Sequence, residues 1–297
     1  MNQQTIAEKV SCTGVGLHTG APASLTLHPA RADSGIVFVR IDGDERIEVP
    51  ARASEVSSTE LATTLGSGSA SVATVEHLLA ALYGLGIDNV RIEVDGPEVP
   101  VLDGSAAPFV YLLRSAGVFT QRRPRRVLEI LRPIQVSDGV RSISIEPSRH
   151  FDVSYAVDFE HPAIGRQELE LHPLAPEVFE VEIAPARTFG FLADVEAMWD
   201  AGFALGGSLE NTVVLDDQRV MNREGLRFAD EFARHKVLDL LGDLALMGVF
   251  LQGHVRAERG GHSLHQRLVR AIAEQPDAWR IAPADVTDAL RIAAAAR

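Results

Sequence analysis

Apolar and polar residues alternate along the first forty residues, a pattern typical of β-strands with one buried face. The alternation is clearest in the segments ASLTLHPA and SGIVFVR, and Gly14, Gly16, Gly20 and Pro22 interrupt it. Glycine and proline at such intervals favour tight turns. The N-terminal region is therefore predicted to form short antiparallel strands joined by turns.

The pattern changes to helical spacing at Thr74. The segment TVEHLLAALYGLG places apolar residues three and four positions apart, which predicts a helix with Thr74 as its N-cap and Gly84 or Gly86 at its end. Glu76 and His77 fall in the first turn of this helix. A strand, NVRIEVDG, and a second helix, PFVYLLRSA, are predicted to follow.

The second half of the chain repeats this order of elements. After the strand-like segments RVLEILRPIQV, RSISIEP and FDVSYAVDF and an irregular stretch, a long helical pattern, EFARHKVLDLLGDLALMG, ends at Gly248. A strand, VFLQGHVRAE, and a helix, HSLHQRLVRAIAEQ, come next, and the Ala-rich tail RIAAAAR is assigned only a frayed helix. The repeated order predicts two α+β domains of similar build, each with helices on one face of a sheet.

The boundary between these domains is placed at RRPRR, Arg122 to Arg126, because the segment is basic, polar and interrupted by proline. An ordinary surface turn explains the same composition. With this linker, residues 1–121 form the first domain and residues 127–297 the second. Binding sites favour interfaces between domains, so the functional site is expected where the helices or loops of the two halves meet.

Composition and charge restrict the partners of the chain. Its 297 residues contain 28 Lys and Arg against 41 Asp and Glu, a formal net charge of −13, so neither nucleic acid nor an anionic membrane surface is an expected partner. Cys12 is the only cysteine, which excludes an internal disulfide and a thiolate zinc cluster. The segment MNQQTIAEKV lacks the apolar core of a secretory signal, and no run of eighteen apolar residues occurs. We expect a cytoplasmic protein without stable membrane insertion.

A polar stripe runs along the longest predicted helix. His235, Asp239 and Asp243 follow one another at intervals of four residues, so their side chains project from one face. A solvated or salt-bridged surface stripe is the plain explanation. Imidazole and carboxylate are also zinc ligands, but catalytic zinc normally takes three protein ligands and leaves a fourth position for water. The metal hypothesis therefore requires a third ligand.

His77, which follows Glu76 in the first turn of the N-terminal helix, is the candidate for this third ligand. A capping or core histidine is the alternative. The adjacent carboxylate favours the metal hypothesis, because hydrolytic zinc sites need a base, itself not a ligand, to take a proton from water. The HExxH and HxxEH arrangements are absent, so thermolysin-like proteases are not supported.

A further histidine pair occurs in RGGHSLH, where His262 follows two glycines at the start of a predicted helix. Cleavage of an amide requires a proton donor for the leaving amine, and a protonated His262 fits this role. A helix N-terminus disfavours an imidazolium, so His262 needs a carboxylate partner such as Asp243. His265 faces the same side, where a second metal site or plain surface histidines are the alternatives.

Six ordered motifs together resemble those of one known family. They are GVGLHTG, TVEHLLAAL, VLDGSAAPFV, ARTFGF, HKVLDLLGDL and GGHSLH, and they extend from about residue 3 to residue 275. The set is similar to that of the UDP-3-O-acyl-N-acetylglucosamine deacetylases, zinc amidases that catalyse the committed step of lipid A biosynthesis in Gram-negative bacteria. The resemblance implies an α+β fold of two similar βααβ-type two-layer sandwich domains, packed with the active site between them.

The resemblance also implies a ligand set. By motif position, His77, His235 and Asp239 are the zinc ligands, and Glu76 is the general base. One Zn²⁺ per chain is expected, with Fe²⁺ as an alternative in the same site.

Other site residues are assigned in the same way. Thr188 is expected to help hold the tetrahedral oxyanion, and His262, braced by Asp243, is expected to be the protonated acid. Phe189 and Lys236 are expected to contact the nucleotide sugar. Lys236 is one of only two lysines in the chain.

The family has a small insertion after ARTFGF that forms a hydrophobic passage for the acyl chain of the substrate. Here the corresponding stretch is FLADVEAMWDAGFALGGSLENTVVL, whose apolar side chains either line such a passage or form ordinary core. Burying a methylene is worth about 0.8 kcal/mol, so an enclosed acyl chain gives a strong length preference. The side chains expected to line the passage are Leu192, Val195, Met198, Phe203 and Val214.

Two positions depart from the pattern of the family. Arg259 stands where many relatives have lysine, and its guanidinium fork is still suited to a phosphate. Glu146 aligns with a lysine near the nucleotide in some relatives, where a carboxylate would repel a diphosphate. The diphosphate contacts are therefore the least well defined part of the predicted site.

The expected activity is hydrolysis of the acetamide of an acylated UDP-amino sugar, by a chain that acts as a monomer. A catalytically silent sugar-nucleotide or lipid-binding module is one alternative, and a zinc hydrolase for another N-acyl sugar is a second. Glu76 and His262 favour catalysis, because a structural zinc site has no use for either residue.

Overall fold

The computed structural model describes residues 1–284. The predicted frayed helix in RIAAAAR lies outside the described residues. The strands of the N-terminal half are β1 (Asn2–Ile6), β2 (Val10–Val15), β3 (Pro22–Pro29), β4 (Ile36–Asp42), β5 (Glu45–Pro50), β6 (Val56–Ser58), β7 (Thr64–Leu65), β8 (Val90–Asp95) and β9 (Val118–Pro124).

The C-terminal half contains a second set of strands and most of the helices. Its strands are β10 (Arg126–Ile130), β11 (Ile134–Asp138), β12 (Arg141–Glu146), β13 (Phe151–Phe159), β14 (Gly165–Leu171), β15 (Phe189–Phe191), β16 (Val213–Leu215), β17 (Phe250–Glu258) and β18 (Trp279–Pro283). The α-helices of the whole described region are α1 (Glu76–Gly84), α2 (Ala107–Ala116), α3 (Pro176–Val178), α4 (Leu192–Asp200), α5 (Glu231–Ala245) and α6 (His262–Glu274).

The two halves contain sheets of the same strand order. The N-terminal sheet has the order β2-β3-β8-β4-β5, and β11-β12-β17-β13-β14 repeats this order in the C-terminal sheet. The central strand, β8 or β17, runs antiparallel to one neighbour and parallel to the other in both sheets. β10 and β18 extend the second sheet. The repeated strand order confirms the predicted internal similarity and the α+β class.

Period-two burial explains how the strands pack. Leu25 and Leu27 on β3 are buried and pair with Val94 and Ile92 on β8, while the residues between them are partly exposed. Side chains of a strand point alternately to its two faces, so one face of each sheet is apolar and packs against helices. The alternation in the N-terminal sequence therefore predicted these strands correctly.

The two halves meet where α1 packs against α5. Every residue from Glu76 to Tyr83 in α1 is buried, and the apolar core continues from this helix into α5 and both sheets. Gly242 makes the close approach possible, because a Cβ built on it would lie 2.1 Å from the carbonyl oxygen of Glu76. The contact fixes the first turn of α1 beside the middle of α5, and the predicted meeting of helices from the two halves is confirmed.

The predicted N-cap of α1 is wrong. Thr74 has a φ of 56°, and its hydroxyl donates a hydrogen bond of 2.6 Å to the buried carboxylate of Glu98. The N-cap position is Val75, whose side chain cannot cap a helix. The hydroxyl of Thr74 is therefore used to satisfy the buried Glu98 carboxylate and not to cap the helix.

The stretch expected to be irregular, between β13 and α5, contains six short elements, β14, α3, a π-helical turn (Phe179–Ile183), β15, α4 and β16. The strand β18 was also not predicted. Of these elements, α3, β15 and β16 have only three residues each, which is too few for a periodic pattern to develop.

The predicted linker continues from one strand into another. Arg122 to Pro124 complete β9, which pairs with β1, and Arg126 begins β10. Arg125 lies between them, forms an ion pair of 2.6 Å with Asp88, and places its guanidinium 4.5 Å from the ring centroid of Phe250. The segment is thus fixed to both halves of the molecule, and a domain boundary at this point stays a prediction. Within residues 1–284, no helix has the length and apolarity needed to cross a bilayer.

Replacing Gly242 with alanine tests the close contact between α1 and α5. The new Cβ has no space beside the Glu76 carbonyl, so Gly242→Ala is expected to lower the free energy of unfolding by about 1–3 kcal/mol or more. An alanine in a helix without such a contact would instead stabilise by about 1 kcal/mol. Denaturant unfolding measures the change. Gly190→Ala is the control, because its Cβ meets nothing within 4 Å; equal stability of both variants would contradict the contact.

Candidate metal centre and catalytic network

The contact between α1 and α5 brings two imidazoles and a carboxylate together. Asp239 Oδ1 lies 3.3 Å from His235 Nε2 and 3.7 Å from His77 Nε2. The rings of His77 and His235 are nearly perpendicular, with centroids 5.0 Å apart. All three side chains are buried. The alternative of a solvated surface stripe on α5 is therefore wrong.

Both imidazoles are prepared to donate a lone pair. His235 Nδ1 lies 3.1 Å from the carbonyl oxygen of Ala186, to which it donates its proton, so Nε2 is left with a free lone pair. Burial, assisted by the neighbouring His235, lowers the pKa of His77 to about 3. Burial also lowers the pKa of His235. Neutral imidazoles are the form that binds metal ions.

Asp239 supplies the negative charge of this group. Burial opposes its ionisation, but the positive charges of Lys236 and His262 hold the pKa of Asp239 well below its usual range. Lys236 Nζ donates a hydrogen bond of 2.8 Å to Asp239 Oδ2. The carboxylate is thus ionised, with Oδ1 directed at the two histidines.

The arrangement fits a divalent metal ion. The ligand atoms of His77, His235 and Asp239 all lie within 4.8 Å of one another. Ligands about 2.0 Å from a tetrahedral zinc ion are roughly 3.3 Å apart, close to the separations from Asp239 Oδ1. Two neutral nitrogens and one carboxylate also match the donor set of catalytic zinc sites.

Glu76 lies beside this group without belonging to it. Its Oε2 accepts a hydrogen bond of 3.0 Å from the backbone N–H of Thr63, and its Oε1 lies 3.9 Å from His262 Nε2. Burial raises the pKa of Glu76 to about 7, against the opposing effect of His262. A carboxyl group that titrates near neutral pH is suited to general base catalysis.

His262 begins α6 and forms a charge pair with Asp243. Its Nδ1 donates a hydrogen bond of 2.8 Å to Asp243 Oδ2, and its Nε2 lies 3.9 Å from Asp239 Oδ2. Burial alone would lower the pKa of His262, but the charge of Asp243 and its hydrogen bond raise it to about 9. The predicted contact between His262 and Asp243 is present, and the imidazole is protonated at neutral pH.

Thr63 connects these two parts of the site and was not predicted. It is fully buried, and in addition to its bond to Glu76 its hydroxyl donates a hydrogen bond of 2.7 Å to Asp243 Oδ1. The residue stands in a short loop without periodicity, in the segment ELATTLG. A single threonine in such a loop gives no signal in the sequence.

His265 is also buried and bonded to Asp243, with Nδ1 2.8 Å from Oδ2. The alternative of a plain surface histidine is therefore wrong. Its Nε2 lies 3.0 Å from the hydroxyl of Tyr155 on β13. Asp243, His262 and His265 form a second group that could hold a metal ion. However, both imidazoles lie at hydrogen-bond distance from the same oxygen of Asp243, so we interpret the group as a hydrogen-bond network.

The motif ARTFGF lies along the N-terminal end of α5. Arg187 is buried and forms an ion pair of 2.9 Å with the buried Glu231 of α5. Thr188 follows, half-buried, with backbone hydrogen bonds to Gly104 and Val213. This ion pair, which was not predicted, anchors the motif so that its Ala186 carbonyl accepts from His235.

Phe189 and Lys236 are adjacent, as expected for two residues of one binding surface. Lys236 Nζ lies 5.3 Å from the ring centroid of Phe189, and that ring lies 6.2 Å from the ring of His235. Both side chains are therefore next to the candidate metal ligands. The role of each toward a nucleotide sugar stays a prediction.

The insert after ARTFGF presents apolar side chains that the core does not cover. No residue of α4 is buried, and Leu192 at its start is 45% exposed. Val195, Met198, Phe203 and Val214 are half-buried. An ordinary core is thus not the explanation for α4, and a passage for an acyl chain stays a prediction.

Phe203 contacts a histidine of the N-terminal half. The ring of His18 stands edge-on to Phe203, with centroids 5.6 Å apart. Among the described residues neither ring nitrogen of His18 has a hydrogen-bond partner. His18 is held by its backbone N–H, which donates to Glu98.

The two departures from the family pattern both lie in ion pairs. Arg259 pairs with Asp158 on β13. The Glu146 carboxylate on β12 lies 3.7 Å from Arg256 Nε. Each charge therefore has a partner within the chain.

Comparison with known proteins supports the resemblance of the motifs. A family model described as UDP-3-O-acyl N-acetylglycosamine deacetylase matches residues 3–274 of the chain. A UDP-3-O-acyl-N-acetylglucosamine deacetylase of Anaeromyxobacter sp. (strain Fw109-5) is 52% identical over 280 residues, which cover 94% of this chain and 91% of the relative.

Two further relatives carry the same description. The protein of Geobacter sp. (strain M21) is 50% identical over 279 residues, covering 94% of this chain and 91% of the relative. The protein of Myxococcus xanthus (strain DK1622) is 50% identical over 283 residues, covering 95% of this chain and 90% of the relative. The similarity therefore extends over both halves of the site.

The dependence of turnover on pH tests the charge states of Glu76 and His262. A general base must be ionised to act, so if Glu76 is the base of the reaction, activity should rise as pH increases through about 7. A general acid must be protonated to act, so if His262 is the acid of the reaction, activity should fall as pH increases through about 9. A plot of kcat/KM against pH is therefore expected to be bell-shaped with its maximum between these values. A profile without a basic limb would contradict the protonated His262.

Proposed function

We propose that this chain, which belongs to the UDP-3-O-acyl-N-acetylglucosamine deacetylase family, hydrolyses the acetamide of its substrate at the centre formed by His77, His235 and Asp239. Deacetylation of UDP-3-O-acyl-N-acetylglucosamine, a step of lipid A biosynthesis, is the reaction of this family and of this chain. The observation that supports the location is the convergence of a base and an acid, Glu76 and His262, beside three metal ligands.

The family consists of metal-dependent amidases, and Zn²⁺ is the proposed metal, one per chain, with Fe²⁺ as an alternative. His77, His235 and Asp239 would hold it, since their neutral nitrogens and ionised oxygen suit either ion. When bound, the ion supplies a Lewis acid that acidifies water and polarises the amide carbonyl.

Glu76 is the proposed base that takes a proton from the attacking water. The Thr63 N–H holds its Oε2, so the carboxylate is fixed while Oε1 faces the acid. Burial makes the carboxylate basic enough to accept a proton near neutral pH. Among residues 1–284, no cation is in direct hydrogen-bond contact with Glu76 to suppress this basicity, since His262 Nε2 is 3.9 Å away.

His262 is the proposed acid that protonates the leaving amine. Its Nδ1–H stays bonded to Asp243, so the proton that it gives up is on Nε2, which faces Glu76 and Asp239. Water adds to the carbonyl carbon, the C–N bond breaks, and the nitrogen gains the proton, which gives acetate and a free amine. The hydroxyl of Thr188 is proposed to donate to the oxyanion of the tetrahedral intermediate.

The remainder of the substrate is proposed to extend away from this centre. Phe189 and Lys236, next to His235, would contact the nucleotide sugar, and the exposed Leu192 with the half-buried Val195 and Val214 would line the acyl passage. Arg259 would reach a phosphate only by exchanging its ion pair with Asp158.

The organisation of the chain follows the same proposal. Residues 1–121 and 127–297 are proposed as two domains, and the site draws ligands from both. All proposed groups belong to one chain, so we propose a monomer that acts in the cytoplasm. Binding without catalysis is disfavoured, because a silent zinc site does not require Glu76 and His262 at its open side.

Glu76→Gln tests the proposed base. Glutamine keeps the shape and the hydrogen bond from Thr63 but cannot take a proton, so kcat for deacetylation is expected to fall 10²- to 10⁴-fold at unchanged metal content. Turnover of purified enzyme with UDP-3-O-acyl-N-acetylglucosamine and metal analysis by mass spectrometry measure both quantities. Glu93→Gln on β8, whose carboxylate pairs with His28, is the control. Undiminished turnover in Glu76→Gln would contradict the proposed base.

A further inference from the structure

We propose that His265, held by Tyr155, is a positioning residue that orients the carboxylate of Asp243 for His262. The inference rests on the proposed function, since it concerns the acid of that reaction. Among the described residues, no hydrogen bond or ion pair joins His265 or Tyr155 to the candidate ligands His77, His235 and Asp239. His265 and Tyr155 both act through Asp243.

Asp243 is the acceptor at the centre of a buried network. It is fully buried, and each of its oxygens accepts from two donors. His262 Nδ1 and His265 Nδ1 each lie 2.8 Å from Oδ2. Oδ1 accepts from the Thr63 hydroxyl at 2.7 Å and from the Gln266 side chain at 3.3 Å. A carboxylate with these donors cannot rotate without breaking hydrogen bonds, so the donors set the direction in which Oδ2 meets His262.

Asp243 fixes which nitrogen of His265 carries the proton, and Tyr155 then acts as the donor to the other nitrogen. The Tyr155 hydroxyl lies 3.0 Å from His265 Nε2, and both side chains are fully enclosed. If Nε2 carried the proton, the Nδ1 lone pair of His265 would face the Asp243 oxygen, which is repulsive. Tyr155 therefore donates to His265 Nε2, and His265 Nδ1 donates to Asp243. The chain of hydrogen bonds has one direction.

With the hydrogen bonds in this direction, His265 is neutral and the imidazolium of His262 alone balances the negative charge of Asp243. A neutral His265 satisfies both of its partners with one proton, and burial lowers its pKa, which favours that neutral form. Two imidazoliums beside one carboxylate would leave a buried positive charge without a partner, which is costly. His265 thus supplies a hydrogen bond and no charge.

The network also explains the first glycine of the motif RGGHSLH. A Cβ on Gly260 would lie 2.3 Å from the Tyr155 hydroxyl and 3.1 Å from His265 Nε2. The backbone that leads to His262 therefore lies directly on the hydrogen bond between Tyr155 and His265. The neighbouring Arg259 N–H donates to the carbonyl of Ala156, next to Tyr155, at 2.8 Å. The loop, the hydrogen bond and the acid form one rigid unit.

His265→Leu and His265→Asn separate positioning from packing. The amide nitrogen of asparagine can reach the position of Nδ1 and donate to Asp243, whereas leucine fills the space without a donor. We expect His265→Leu to lower kcat about 10- to 100-fold with KM and zinc content unchanged, and His265→Asn to restore most of the rate. Deacetylation kinetics, metal analysis and thermal unfolding are measured on the purified holoenzymes.

Tyr155→Phe provides a variant with a smaller change in packing. It removes only the donor to His265, and we expect a lower kcat at constant KM. Tyr83→Phe is the matched control, because Tyr83 is also buried and its hydroxyl accepts a hydrogen bond of 3.0 Å from the Leu251 N–H, in another part of the core. We expect Tyr83→Phe to change thermal stability and leave kcat unchanged.

A double-mutant cycle with Asp243→Asn tests whether His265 acts through Asp243. If it does, His265→Leu has no further effect on kcat in the Asp243→Asn background. A wild-type kcat in His265→Leu, or a full additional loss in the Asp243→Asn background, would overturn the inference. Wild-type turnover in Glu76→Gln and Asp243→Asn would instead contradict the proposed function, so the two failures are distinguishable.

Discussion

The close approach of α1 and α5 is the constraint on which the site depends. Candidate ligands as distant in sequence as His77 and His235 can share one ion only if their helices lie nearly in contact, and Gly242 lacks the side chain that would separate the helices. The duplicated sheets support this contact from both sides, since each covers its helices with an apolar face. The two similar halves thus form an interface between α1 and α5, and each helix contributes different polar side chains to the site there.

Burial at this interface is what gives the ionisable groups their properties. Desolvation keeps His77 and His235 neutral and makes Glu76 basic, whereas the buried charge of Asp243 reverses the same effect for His262. Removing charges from water is costly, and here hydrogen bonds and opposite charges offset much of that cost. The hydrogen bonds that stabilise these buried charges are therefore the same ones that set the protonation states of the site.

Sequence patterns predicted the parts of the molecule with long periods. The helices that carry Glu76, His77, His235 and Asp239 have apolar repeats over two or more turns, and the sheets alternate clearly. Contacts made by single residues in short segments could not be predicted from the sequence. Thr63 lies in an aperiodic loop, and Thr74 serves Glu98, a residue 24 positions away, instead of its own helix. Such contacts depend on the packed structure and leave no local pattern.

In the proposed centre, two imidazoles and one carboxylate from both halves of the chain bind a single divalent ion. Anomalous diffraction from crystals of the holoenzyme, recorded on both sides of the zinc absorption edge, tests this proposal directly. We expect one peak that lies about 2.0–2.1 Å from His77 Nε2 and His235 Nε2 and within bonding distance of Asp239. A peak bound elsewhere, or a metal-loaded active enzyme in which one of these three side chains points away from the ion, would contradict it.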